Sequence, residues 1–187
     1  GDRTGKRLAV DPKPKPPKRK SGEWPADLAE LEKVRDLGGS TGAQLVRDPV
    51  TGDQFVLKRG ASPDHLREEF LADELYRAAG VPVPEARLYE SDGRPTKLAR
   101  FLEGRTLQDW LKTASAPERD ALFTQLRQDF AVDAWLGNWD VAGLNLDNIL
   151  VDATGKPWRI DNGGSLRFRA MGKAKTSAEW NTFPTEL

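Results

Sequence analysis

The sequence contains no cysteine, one histidine, one methionine and two tyrosines. Without cysteine there can be no disulfide, no thiolate metal site and no cysteine nucleophile. The single histidine, His65, falls at the start of a predicted helix, so acid–base or metal chemistry built on histidine is not expected. No apolar run approaches the roughly 20 residues of a membrane-spanning helix, and no signal-peptide core is visible. The first residue is Gly1 and the one methionine is Met171, as expected of a processed product or an excised domain. A cytoplasmic protein, or one delivered into the cytoplasm of a target cell, is the corresponding expectation.

Formal charge is zero overall but unevenly spread. Residues 1–22 hold eight Lys/Arg and two Asp, a net +6, and leave 21 basic and 27 acidic residues, a net −6, in the remainder. A mildly acidic body argues against a nucleic-acid binder that tracks phosphates over its surface. Within the arm, residues 11–20 alternate Pro with Lys and Arg and offer little to bury. Residues 1–22 are therefore read as a disordered or polyproline-type linker.

Folded sequence is expected to begin near Trp24, with a short helix over residues 26–35 that turns Leu28 and Leu31 inward. Strand-like runs at residues 44–47 and 54–58 flank the turn sequence Asp48-Pro-Val-Thr-Gly52. Ser62 and Pro63 are a helix N-cap and first position, and that helix runs to Ala79 and stops at Gly80. A second strand pair is predicted at residues 86–89 and 97–101. Helices follow at 106–112 and 117–136, the longer with Leu122, Leu126, Phe130 and Ala134 near helical spacing. A last hairpin is predicted from residues 149–151 and 158–160. This order gives an α+β class with two lobes rather than alternating β-α units.

Three groups of residues carry chemistry. Leu37-Gly-Gly-Ser-Thr-Gly42 precedes a strand, and glycines let backbone N–H groups approach a phosphate. It lacks the Gly-Lys-Ser/Thr of a P-loop. Lys58 ends the following strand, where it can reach phosphates, and Glu68, Glu69 and Glu74 on the next helix can orient it. On a helical wheel Glu68 falls within the apolar face of Leu71, Ala72, Leu75 and Ala79, and Glu69 at its edge. The third group is Gly137-Asn-Trp-Asp140, then Asn145, Asp147-Asn148 and Asp161-Asn-Gly163. A metal-bound triphosphate needs hard oxygen ligands and a carboxylate beside the acceptor hydroxyl. Asp140, Asn148 and Asp161 are of those types, and the hairpin between Asn148 and Asp161 brings them together.

The run from Asp147 to Gly163, Asp-Asn-Ile-Leu-Val-Asp-Ala-Thr-Gly-Lys-Pro-Trp-Arg-Ile-Asp-Asn-Gly, resembles the catalytic-loop Asn, β-hairpin and Asp-Phe-Gly segment of the protein-kinase-like superfamily. Gly38–Gly42 looks like the Gly-rich loop, Lys58 like the strand lysine, and residues 98–103 like the hinge that contacts adenine through its backbone. The likeness covers residues 37–165 and looks closest to atypical members: lipid-kinase-like, HipA-like and spore-coat-kinase-like proteins, and small bacterial effector or toxin kinases. It implies a two-lobed fold with a reduced C-lobe, the N-lobe over residues 23–102 and the C-lobe over 103–187.

The resemblance implies ATP and Mg2+ as cofactors. Gly38, Gly39, Ser40, Thr41, Gly42, Lys58, Glu69, Arg100, Phe101 and Leu102 would then hold the nucleotide, Asn148 and Asp161 the metal, and Asp140 the acceptor hydroxyl. Glu69 is chosen over Glu68 because it lies eleven residues before Gly80. Departures are plain. The usual five-residue interval from Asp140 reaches Asn145, so Asn148 as ligand implies a loop three residues longer. Asn162 stands where Phe is usual, and no Ala-Pro-Glu segment follows. The expected acceptor is a protein Ser or Thr. A small-molecule or lipid hydroxyl, nucleotidyl transfer, and a catalytically silent binding module are the alternatives.

Overall fold

The computed structural model describes residues 18–39 and 41–180. Its first feature is a 3₁₀ turn at Leu28–Glu30, capped by the Asp27 carboxylate on Ala29 N–H, and not the predicted longer helix. Residues from Glu32 onward form strand β1, Glu32–Gly38. Most of its side chains are exposed and charged, as suits an edge strand. Leu28 and Leu31 do turn inward, against the cluster of Val46, Phe55 and Leu98.

Strands β2 (Ala43–Arg47) and β3 (Gln54–Lys58) follow as read from the sequence. Helix α1 spans Pro63–Ala78, with the Ser62 hydroxyl accepting from His65 N–H. Strands β4 (Ala86–Ser91) and β5 (Arg94–Arg100) run longer than predicted and close on the two-residue turn Asp92-Gly93. The five strands form one antiparallel sheet in the order β1-β2-β3-β5-β4. Residues 101–104 then lead to a small sheet of β6 (Arg105–Thr106), β7 (Ile149–Val151) and β8 (Pro157–Arg159), in that order. Between β6 and β7 lie α2 (Leu107–Leu111) and α3 (Ala116–Trp135). The chain continues through a 3₁₀ turn at Ala170–Gly172 to a short helix α4, Ser177–Trp180. Among the described residues no helix is long and apolar enough to cross a membrane.

Both long helices bury only part of the face their apolar spacing predicts, Ala72 and Leu75 in α1 and Leu122 and Leu126 in α3, and bury acids beside it. In α1 the buried residues are His65, Leu66, Glu69, Ala72, Asp73 and Tyr76, while Leu71 is 48% exposed. In α3 they are Leu122, Asp129 and Asp133, while Phe130 is 52% exposed. The reason is that much of the interior is polar. Lys58, Lys97, Arg159, Asn138 and Asn162 are buried too, and the acids on the two helices face them.

The arm also differs from its sequence reading. Residues 1–17 lie outside the described part, but Arg19 is docked. Its guanidinium sits 2.9 Å from Asp48, which is fully buried, and also pairs with Glu30. The Ser21 hydroxyl and the Gly22 N–H donate to the Asp53 carboxylate at 2.6 and 2.7 Å. The folded body therefore starts before Trp24.

Candidate functional site

Strands β3 and β5 pair so that Lys58 lies directly opposite Lys97. Like charges across a ladder repel, and both ammonium groups are buried. The sheet accommodates them because α1 brings Glu69 between them. Lys58 Nζ lies 2.8 Å from Glu69 Oε2, and Lys97 Nζ lies 2.5 Å from Oε1. Of the two candidate glutamates, Glu69 thus reaches Lys58. Glu68 pairs instead with Arg167. Burial alone would raise the Glu69 carboxyl, but Lys58 and Lys97 hold it down at about 2. Burial would lower Lys58, yet Glu69 and Asp161 raise it, so it stays charged.

Lys58 also reaches the other sheet. Its Nζ is 3.1 Å from Asp161 Oδ1. The same Oδ1 accepts Gly163 N–H at 3.1 Å, so neither bond uses Oδ2, and the side chain is 43% exposed. Asp161 follows β8, and Ile160 N–H bonds the Asn148 carbonyl at 3.0 Å, which puts Asn148 and Asp161 at one end of the hairpin. Asn148 donates its amide N–H to the Asp140 carbonyl at 2.8 Å, turning its own side-chain oxygen away from that bond. Asp140 N–H bonds Asn138 Oδ1 at 3.1 Å. A Cβ on Gly164 would lie 2.9 Å from Asp140 Cβ, so only glycine lets the Asp161 turn pack this closely on the Asp140 loop. Asn145 is exposed. Asp140 is also among the lining residues of an open, mostly apolar groove of about 710 Å3 formed with Phe123, Leu126, Phe130 and Leu144.

The remaining candidates are placed as follows. Gly38, Gly39 and Gly42 hold positive φ (77°, 82° and 65°) in the connection from β1 to β2, Thr41 is half-buried there, and Ser40 lies outside the described residues. Arg100 is directed elsewhere: its guanidinium stacks on Trp24 at 4.3 Å and lies 3.6 Å from Asp53. Phe101 N–H donates to the Gln54 carbonyl at 3.1 Å, so that donor is already used by the sheet. Leu102 is half-buried in the link between the sheets.

Several residues of the site have no counterpart among the sequence candidates. Lys97 bonds Asp73 Oδ2 at 2.7 Å as well as Glu69. Burial and Glu69 raise the Asp73 carboxyl, against the pull of Lys97. Asn162 donates to Asp73 Oδ1 at 2.7 Å and accepts from Asn138 at 3.4 Å. Asn138 donates to Tyr76 Oη at 3.1 Å, and Tyr76 donates to Asp133 at 2.8 Å. Asp133 closes the chain with two bonds from Arg159, at 2.7 and 2.6 Å. His65 is structural. Its Nδ1 accepts Ala61 N–H at 3.2 Å and its Nε2 donates to the Gly163 carbonyl at 2.9 Å, which defines the neutral ring protonated on Nε2. One signal for the polar interior is present in the sequence. Each long helix carries two buried acids four residues apart, Glu69 with Asp73 and Asp129 with Asp133.

No protein-family model matches the chain, and a search of curated proteins returns no relative. Among solved structures, the fold is similar to that of the Cydia pomonella granulovirus kinase PK-1, with a TM-score of 0.59 over 74% of this chain at 18% identity. The chain spans 53% of that kinase's length. At that identity the likeness shows the fold, a mixed α/β protein-kinase-like architecture around a five-stranded sheet.

Proposed function

We propose that the chain is an ATP- and Mg2+-dependent phosphotransferase, a minimal protein Ser/Thr kinase of the atypical branch acting as a bacterial effector or toxin domain. Residues 23–102 and 103–187 would be its two lobes. One observation carries the reading: Lys58 is held between Glu69 at 2.8 Å and Asp161 at 3.1 Å, which joins the large sheet to the end of the small one. A charged lysine with one carboxylate to orient it and another across the gap suits a triphosphate.

The donor set fits magnesium. Among the described residues no group of three or more His, Asp or Glu gathers as a metal cage. Mg2+ bound to a nucleotide asks for less, one or two protein oxygens beside phosphates and water. Asp161 Oδ2 and the Asn148 amide oxygen are such donors. Lys58 and Lys97 face three carboxylates, Glu69, Asp73 and Asp161, and a divalent cation would offset the excess negative charge. When bound, the metal supplies charge neutralisation on the phosphate oxygens.

The residues of the chain do the rest. Lys58 binds the α/β-phosphates, with Glu69 fixing its direction. Backbone amides of the Gly38–Gly42 turn close over the phosphates. The link after Phe101 meets adenine through the backbone of Leu102 and Glu103, since Phe101 N–H is already bonded. Asp140 orients the acceptor hydroxyl and takes its proton as oxygen attacks the γ-phosphorus and ADP leaves. Catalysis then rests on positioning and charge.

The test is incubation of the full chain with Mg2+ and ATP labelled on either the α- or γ-phosphate, then mass spectrometry of the protein and of a cell lysate. Transfer of the γ-label, lost in Asp161→Asn with an unchanged melting temperature, supports the reading. Transfer of the α-label means nucleotidyl transfer instead. Binding without transfer, or wild-type transfer by Asp161→Asn, overturns it.

A further inference from the structure

Asn162 stands between the proposed metal ligand Asp161 and Gly163, and it is 1% exposed. Its side-chain N–H donates to Asp73 on α1 at 2.7 Å, and its oxygen accepts from Asn138, two residues before Asp140, at 3.4 Å. One amide therefore touches the helix that carries Glu69 and the loop that carries Asp140, from within the turn that carries Asp161. A side chain with only donors or only acceptors cannot satisfy both neighbours at once, whereas an amide can.

The charges behind Asp73 tighten this arrangement. Its other oxygen holds Lys97 at 2.7 Å, and Lys97 also holds Glu69 at 2.5 Å. Rotating α1 so that Glu69 leaves Lys58 would pull Asp73 from Asn162 and leave a buried carboxylate short of a donor, which is costly. The first turn of α1 makes a second tie, from His65 to the Gly163 carbonyl at 2.9 Å. A Cβ on Gly163 would sit 2.8 Å from His65 Nε2, so the two surfaces are in direct contact.

We infer that Asn162 is a positioning residue for the reaction proposed above, the joint through which the seating of Glu69 on Lys58 and the orientation of Asp161 become one event. The inference rests on that reading for its catalytic consequence and on the hydrogen bonds alone for the coupling. α1 is thus bonded to the Asp161 turn by buried groups of the chain itself.

The experiment is a swap. Asn162→Asp puts two carboxylates side by side. Adding Asp73→Asn restores one amide and one carboxylate in exchanged places, so that the amide now on α1 can donate to the carboxylate now in the turn while its oxygen faces Lys97. Melting temperature, hydrogen exchange of residues 63–78 and 160–168, and steady-state ATP turnover are measured for the wild type, both single variants and the pair. Asn162→Asp is expected to cut turnover at least tenfold, mostly in kcat, and the pair to recover to within about threefold of wild type. Exchange is expected to speed up together in both segments in Asn162→Asp and to slow together in the pair.

Several results would overturn the inference: wild-type turnover in Asn162→Asp, a pair that melts like wild type but stays inactive, or faster exchange confined to 160–168. If the wild type itself has no turnover, the kinase reading fails. The exchange data then decide the coupling alone, by whether both segments respond together and the swap reverses them.

Discussion

Replacing Arg159 with methionine removes a charge that the interior is built around. The guanidinium is 1% exposed, makes two bonds of 2.7 and 2.6 Å to Asp133, lies 3.3 Å from Asp129, and covers the Tyr76 ring at 5.4 Å. Methionine fills much of the same space, so the loss is mainly electrostatic. Asp133 would keep one bond, from Tyr76 at 2.8 Å, with its charge otherwise unmatched in a buried place. Breaking a buried ion pair from one side costs about 3–5 kcal/mol. For a domain of this size that corresponds to a fall in melting temperature of roughly 10 °C. Urea unfolding followed by tryptophan fluorescence would read it as a lower midpoint at unchanged slope. Adding Asp133→Leu should recover part of the loss, because the unmatched carboxylate is gone; Tyr76 keeps the bond it accepts from Asn138 at 3.1 Å but loses the acceptor of its own O–H. A cost below about 1 kcal/mol for Arg159→Met, or no recovery in the pair, would refute the view that paired charge rather than packing holds β8 to α3.

Other outcomes follow from the same contacts. Arg19→Ala should destabilise by about 1–3 kcal/mol, the range for leaving a buried acceptor short of a partner, since it strips the cation from buried Asp48. Deleting residues 1–22 should do the same and deleting 1–17 should not, which thermal melts of the three variants would check. Asn148→Ala should lose Mg2+-dependent turnover and regain part of it at raised Mg2+ or with Mn2+, while exposed Asn145→Ala stays near wild type. Rates against metal concentration decide this, and the reverse pattern would make Asn145 the ligand. Glu69 is held at about 2, below its ordinary 4.5, so its contribution is present above pH 4.5 and is lost as pH falls through 2. That is roughly 3 kcal/mol, and urea midpoints from pH 7 down to pH 3 should fall more steeply in wild type than in Glu69→Gln. Asp73 is raised by burial and by Glu69, so its own contribution grows as pH falls, and it grows less in Glu69→Gln, where the Glu69 charge is gone. Equal slopes would remove Glu69 from the ion-pair account.

What was legible in the sequence is what neighbours in the chain determine. Ser62, Pro63 and Gly80 delimit α1 because capping is local. The turn at residues 48–52 and the hairpin from Ile149 to Arg159 are likewise set by short-range signals. Strand β1 was not legible, because an exposed charged edge strand and an amphipathic helix draw on the same residues, and its pairing with β2 decides. The polar part of the buried faces of α1 and α3 was illegible for a different reason. Hydrophobic spacing points to an apolar interface, whereas these helices bury Glu69, Asp73, Asp129 and Asp133 against cations that lie far away in sequence. Lys97 looks like an ordinary strand lysine until β5 is laid beside β3.

That pairing makes the polar interior a chain of requirements. Lys58 and Lys97 face each other on adjacent strands, so a carboxylate must stand between them, and Glu69 does. Glu69 shares its charge with two cations, so a second acid must meet Lys97, and Asp73 stands one helical turn on. Asp73 has a further oxygen to satisfy, and Asn162 supplies the donor. A slip of β5 by one residue would send Lys97 to the opposite face of the sheet. Asp73 would then lose its cation, and Glu69 its second one. A purely apolar interface between α1 and the sheet could tolerate such a slip by repacking, whereas this one would expose a buried charge deficit. The network therefore sets strand register, helix rotation and the placing of Asp161 with the same few side chains.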